Sequence, residues 1–203
     1  MKLPDINGII VLNMNSAEKQ KIIEYIEKNL TEKRRNHTYA VVEESKKLAL
    51  RYGEDIEKAE IAALFHDAFR GIPNSDLNNY IRKMGLDDSY LNNCNLAHGK
   101  IAAFVMEREF NIVDQDVINA VCYHTTGRAN MSKLEKIIYI ADAIEPGRVY
   151  SGVDELRDLA YENLDKACLM SLNHTIAHIN NKGMYLNEDT LKARDDLARS
   201  QAF

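Results

Sequence analysis

Apolar residues recur at three- and four-residue intervals along most of this chain, and no segment alternates with the two-residue period of a half-buried strand. That pattern predicts helices throughout. Only 3 prolines and 9 glycines interrupt the 203 residues, so long helices are sterically allowed and a turn-rich β-sandwich is disfavoured. Helices are expected at about 35–52, 57–69, 75–83, 96–109, 115–123, 133–145, 161–181 and 189–200. One more is expected to begin after Asn15 and to carry Ile22, Ile23 and Ile26 on one side. Asn15 with Glu18, and Ser132 with Glu135, have the spacing of reciprocal N-terminal caps. Gly53, Gly71, Gly85, Gly127 and Gly147 stand where helices should stop. The expected fold is all-α, one compact helical bundle over residues 15–203, preceded by a flexible lead-in over 1–14 in which Met14 offers an alternative start.

Five of the apolar stripes carry a histidine or an aspartate. His37 lies in line with Val41 and Leu48, and His66 continues Ala59, Ala62 and Ala63. His98 begins the stripe of Ile101, Ala102 and Val105, whereas His124 ends that of Val117, Ala120 and Val121. Asp142 ends the stripe of Leu134, Ile138 and Ala141. A buried imidazole or carboxylate needs a partner, because an unpaired one costs several kcal/mol. For one histidine alone, a local hydrogen bond in the core is the simpler reading. For five helices together, a shared polar site is simpler. Imidazoles with carboxylates and no cysteine suit a transition metal such as iron, manganese or zinc.

The doublet His66-Asp67 sharpens this. Neighbouring residues on a helix point roughly 100° apart, so both reach one site only where the helix ends. Arg70 and Gly71 follow at once and mark such an end.

The net charge of −5 disfavours non-specific binding to nucleic acid, which needs a basic surface. A phosphorylated ligand would then require a local cluster of cations. No apolar run is long enough to cross a membrane, and the short apolar segment 8–12 lacks the basic start and cleavage pattern of a secretory signal. Cys94, Cys122 and Cys168 show no paired spacing, which fits a reducing, cytoplasmic compartment.

Several blocks carry a resemblance. They are Arg34-Arg35-Asn36-His37, the run Ala62–Asp67, Leu96-Ala97-His98-Gly99, His124-Thr125-Thr126-Gly127 followed by Met131-Ser132, and the run Ala141–Arg148 that reads "ADAIEPGR". From about Arg34 to Arg194 the chain resembles the YqeK family. This is a branch of the HD-domain phosphohydrolases whose members act as symmetrical diadenosine tetraphosphate hydrolases. The resemblance implies metal-dependent hydrolysis of that dinucleotide to two ADP, with His37, His66, Asp67 and Asp142 as metal ligands. Iron is the implied metal, with manganese, cobalt and zinc as alternatives and one or two ions bound. It also implies catalytic roles for Asp67, His98 and His124, the histidines either ligating a second metal or holding phosphate oxygens. Arg34 and Arg148 match positions suited to grip phosphate, as a forked guanidinium does well. A homodimer is left open. Two other readings share these residues: an HD-type hydrolase of deoxynucleoside mono- or triphosphates, and a nucleotide-binding sensor without catalysis.

Other residues are weaker candidates. His174 and His178 have the i, i+4 spacing of a zinc chelate, but no third ligand lies nearby in sequence and the family pattern does not use them. They are expected to be ordinary surface or half-buried residues. Cys122 is expected to pack in the core rather than act as a nucleophile. Arg128 and Lys133 could serve a polyphosphate or equally be solvated charge. Tyr185 could stack on a base, although packing against the domain is the expected role.

Overall fold

The structure, a computed structural model, describes residues 16–201. The lead-in and the cap expected at Asn15 lie outside that range. The fold is all-α: ten α-helices and no strand among the described residues. They are α1 (Ser16–Asn29), α2 (Glu32–Tyr52), α3 (Ile56–His66), α4 (Asn74–Met84), α5 (Cys94–Glu109), α6 (Gln115–Cys122), α7 (Lys133–Ile144), α8 (Val153–Glu162), α9 (Leu164–Asn181) and α10 (Glu188–Ser200). A short 3-10 turn, Asp88–Tyr90, sits between α4 and α5. No described helix is long and apolar enough to cross a membrane.

The helix ends follow local chemistry. Asp55 caps α3 by accepting from the amides of Glu57 and Lys58, and Asp114 caps α6 in the same way. Ser132 caps α7 through the amide of Glu135. The Glu135 side chain does not return the bond but pairs with Arg128, so only half of the expected reciprocal cap forms. Gly53 and Gly85 end α2 and α4 in the left-handed conformation, which glycine adopts without strain. Gly147 plays no such part. Instead α7 stops one residue before the expected 145, because Pro146 forces Glu145 into an extended conformation with ψ 152°.

Two differences from the periodicity are informative. The helix expected over 57–69 stops at His66, and Asp67 leaves helical geometry with φ −107° and ψ 8°. The helix expected over 161–181 is α9, which begins at Leu164 after Asn163 (φ −151°, ψ 103°), whose side chain caps it through the amide of Lys166. Before it stands α8, which was not expected: it buries Val153, Leu156 and Ala160, a stripe too short to stand out in the sequence.

Helix α3 is the axis of the bundle. It packs against α1, α2, α5, α6 and α7. Ala59 and the run from Ile61 to His66 are all buried, so the C-terminal half of the helix is enclosed around its whole circumference. Its alanines let neighbours approach closely, and Phe65 meets Phe110 edge to face at 4.9 Å. From α1, Ile22 and Ile26 enter the same core, with Ile23 at its edge. A second close approach joins α5 to the end of α6. A Cβ on Gly99 would lie 2.8 Å from the carbonyl oxygen of Val121 and 3.0 Å from the ring of His124.

These contacts set measurable costs. Phe65→Ala should destabilise the fold by about 3–5 kcal/mol in denaturant titration, as buried Phe-to-Ala changes do. Gly99→Ala should cost about 1–3 kcal/mol, since the added methyl must push α5 from α6. A Gly99→Ala protein of unchanged stability would mean that the two helices are not locked at this contact.

Candidate metal centre

All six histidines and aspartates singled out on the apolar stripes and in the doublet meet at one end of α3. His37 comes from α2, His66 from the last turn of α3, Asp67 from its end, His98 from α5 and Asp142 from α7. His124 lies in the turn just beyond α6 rather than on it. His66, Asp67, His98 and His124 are buried, and His37 and Asp142 stand at the rim of the cluster.

The imidazoles share one arrangement. His66 Nδ1 lies 2.6 Å from the carbonyl of Ala63, His98 Nδ1 2.8 Å from that of Cys94, and His124 Nδ1 2.8 Å from that of Val121. A carbonyl only accepts, so each Nδ1 carries the proton and donates it. His37 Nδ1 donates in the same way to Glu145 Oε1 at 3.1 Å. All four Nε2 atoms are therefore left as lone-pair acceptors that point at one another, with Thr125 Oγ1 3.2 Å from that of His124 and Arg148 Nη2 3.5 Å from that of His37. His98 Nε2 and His124 Nε2 are 3.0 Å apart, and His37 Nε2 and His66 Nε2 are 3.4 Å apart. Asp67 stands between the pairs, with Oδ1 3.0 Å from His98 Nε2 and Oδ2 3.8 Å from His37 Nε2.

Lone pairs aimed at lone pairs and at carboxylates repel unless a cation lies among them. The protonation states favour that cation being a metal. Burial pushes the His66 imidazole down to about 4 and lowers that of His98, so both stay neutral at neutral pH. Burial alone would raise the carboxyl of Asp67, but the adjoining His66 and the neighbouring imidazoles of His124 and His98 hold it well below the ordinary carboxylate range. Asp142 is likewise held low: the neighbouring His37, His66 and Arg148 outweigh burial. A neutral His66 and His98 beside ionised carboxylates are in the protonation states that ligate metal. Two sets of ligand atoms are tight enough to hold an ion, His37 with His66 and Asp67, and Asp67 with His98 and His124. Asp67 belongs to both. Asp142 adjoins the first set, with Oδ1 3.1 Å from His37 Nε2, and its carboxylate also takes the guanidinium of Arg148.

Cations gather at the rim despite the acidic chain. A cavity of about 250 Å³ is lined by Lys33, Arg34, Arg70 and Arg148 together with His37 and Asp67. Arg34 and Arg70 reach Asp67 at 3.7 and 3.3 Å. Arg148 donates from Nε to the Asp142 carbonyl at 2.7 Å.

Glu145 and Arg70 were not recognised as functional in the sequence. Glu145 is buried, holds His37 Nδ1, and is itself held by the Gly147 amide at 2.5 Å. Its signals were its place three residues after Asp142 and within the run Ala141–Arg148. Arg70, read as a helix-end marker, sits three residues after Asp67, the spacing that turns both side chains to one face. Other candidates lie elsewhere. Arg128 is paired with the buried Glu135, and Lys133 donates to the carbonyl of Tyr52 at 3.0 Å. Cys122 packs beside the core and burial pushes its thiol up, away from nucleophilic use. Tyr185 is 55% exposed, so the packing role expected of it fails: the loop after α9 leaves the ring outside the core. His174 and His178 are exposed on α9, and neither belongs to a candidate metal set among the described residues.

The HD domain family matches residues 34–147, a span that contains every residue of both ligand sets. A Bacillus subtilis protein named symmetrical bis(5'-nucleosyl)-tetraphosphatase is 37% identical, over 85% of this chain and 93% of that one. A protein of the same name from Halalkalibacterium halodurans is 38% identical over 89% of this chain and 97% of that one. A crystal structure described as a predicted HD superfamily hydrolase involved in NAD metabolism, from Clostridium acetobutylicum, has a TM-score of 0.85 and 44% identity, covering 90% of this chain and 97% of that one. Geometry and relatives agree: the chain belongs to the HD-domain family, in the branch of the symmetrical bis(5'-nucleosyl)-tetraphosphatases.

Proposed function

We propose that this protein is a metal-dependent hydrolase that cleaves diadenosine tetraphosphate symmetrically into two ADP. The observation that carries the reading is the convergence of four Nε2 lone pairs on Asp67, next to an arginine-lined cavity, in a chain with relatives of that name. His37, His66, Asp67 and Asp142 are the proposed ligands of a first ion. His98 and His124, with Asp67 as the shared carboxylate, are suited to a second. The donor set of imidazole and carboxylate without thiolate suits iron, with manganese, cobalt and zinc as substitutes. Three free cysteines fit a reducing, cytoplasmic setting.

A cation bound there supplies Lewis acidity, activating water and drawing charge from a phosphoryl oxygen. The chain's own groups do the rest. Asp67, held ionised, orients the attacking water. Its depressed basicity makes it a better acceptor of a hydrogen bond than a remover of the proton. Arg34, Arg70 and Arg148 face the cavity where phosphate oxygens would lie and can neutralise charge on the equatorial oxygens and on the departing ADP. Glu145 keeps His37 in one tautomer and orientation. The comparisons give no added weight to a deoxynucleotide hydrolase or to a non-catalytic sensor.

Metal content tests the ligand set. Purified protein should carry a first-row transition metal, which His66→Ala and Asp67→Ala should lose and which chelation should remove with a fall in Tm. Glu145→Gln should weaken metal affinity roughly 10–100-fold, as loss of a partner to a metal-bound histidine does. Full occupancy in the His66 and Asp67 variants would remove the site as drawn.

Arg148→Ala should keep the metal yet lose about 2–3 kcal/mol of transition-state stabilisation, read as kcat/KM. An unchanged kcat/KM would return this arginine to a structural role beside Asp142.

The reaction has its own signature. Diadenosine tetraphosphate should yield only ADP, and in isotopically labelled water one heavy oxygen should enter one of the two ADP molecules per turnover. AMP with ATP would mean attack at a different phosphorus and would refute symmetrical cleavage.

A further inference from the structure

Three cavities meet at Arg148. The phosphate-sized one of about 250 Å³ reaches Asp67. A second, of about 710 Å³, opens along α2 beside Asn36 and His37. The third, of about 630 Å³, lies on the other side, where Ala143 of α7 and the loop after it face His174, Thr175 and His178 of α9. Arg148 borders all three, and Tyr150 borders the two larger ones.

Tyr150 has an unusual position for an aromatic residue. It is 41% exposed, yet its hydroxyl donates to the Ala143 carbonyl at 2.9 Å, so the ring is tethered at the surface. His174 lines the same cavity and lies close to the loop: a Cβ on Gly152 would lie 3.5 Å from His174 Cε1. With no third ligand, His174 and His178 do not make a metal site. Their imidazoles instead offer flat faces and hydrogen-bonding edges to a planar heterocycle.

We propose that the cavity between α7, the loop 148–152 and α9 is a nucleoside subsite, in which Tyr150 and His174 flank one purine of the dinucleotide. This deepens the functional reading above and rests on it. A symmetrical substrate carries a nucleoside at each end of its tetraphosphate. With the middle of that chain at Arg148, the ends leave in opposite directions. The fold provides two separate cavities there, each within the usual size of ligand pockets. The α2 side takes one nucleoside and the α9 side takes the other. Tyr150 and His174 are specificity-determining residues, because they favour a ligand with two bases over a ligand with one.

The test compares two hydrolysis-resistant ligands on the metal-loaded protein by calorimetry. One is diadenosine tetraphosphate with a methylene at the central bridge, and the other is adenosine tetraphosphate with the same replacement. Wild-type protein should prefer the dinucleotide. Tyr150→Ala should cut that ratio of Kd values about tenfold, the typical scale for one base stacked on an aromatic side chain. His174→Ala should also lower it, whereas Tyr150→Phe, which keeps the ring, should preserve most of it. Metal analysis of each variant guards against an indirect effect through the ligands. A wild-type ratio near one, or an undiminished ratio in both alanine variants, overturns the subsite and leaves the reaction standing. Failure of wild-type protein to bind either ligand would refute the functional reading itself, and the subsite with it.

Discussion

Everything at the centre of this molecule depends on where four imidazole protons are. Three backbone carbonyls and the Glu145 carboxylate take the Nδ1 protons of His66, His98, His124 and His37. The remaining nitrogen lone pairs are thereby forced into a common space with two ionised carboxylates. No arrangement of those groups alone is self-satisfying. A cation resolves the repulsion, and the helices are packed so that the repulsion cannot be relieved by side chains turning outward. His66 and His98 have no solvent to turn into.

That packing is concentrated in α3. The C-terminal half of α3 is buried on every side, so there the helix can present a polar group to a shared site only at its end, where it stops on His66 and Asp67. The termination matters as much as the helix. Had the helix continued to 69, as its periodicity suggested, the carboxylate of Asp67 would be turned by a full helical step from the His66 imidazole. The departure of Asp67 from helical geometry lets it stand between the two histidine pairs. Gly99 performs the matching service for the second pair, because only a residue without a side chain lets α5 come close enough to the end of α6 for His98 and His124 to meet.

The electrostatics are divided by depth. The whole chain is acidic, yet Lys33, Arg34, Arg70 and Arg148 surround the mouth of the site. Such a field draws a polyphosphate to one place without making the surface generally adhesive to nucleic acid. Arg148 has two partners in this scheme. Bonded to Asp142 in this structure, it restrains a proposed ligand, and it borders all three cavities where a phosphate chain and its two nucleosides would lie.

The sequence by itself determined the all-α class, nearly every helix, and the set of residues that meet at the centre. It could do so because helical periodicity marks which face is buried, and a histidine or aspartate on such a face is conspicuous. It overlooked what periodicity does not encode. Helix α8 was missed because its buried stripe has only Val153, Leu156 and Ala160. Glu145 and Arg70 were invisible as partners because their roles depend on which way the chain turns after a helix ends. His174 looked like surface, and it is, but only the tertiary structure decided that this surface faces Arg148 across a cavity. The physical reason is the same in each case: spacing along one helix fixes directions about its own axis, whereas the meeting of side chains from α2, α3, α5, α7 and α9 depends on how those axes cross, and the crossing is set by packing over the entire core.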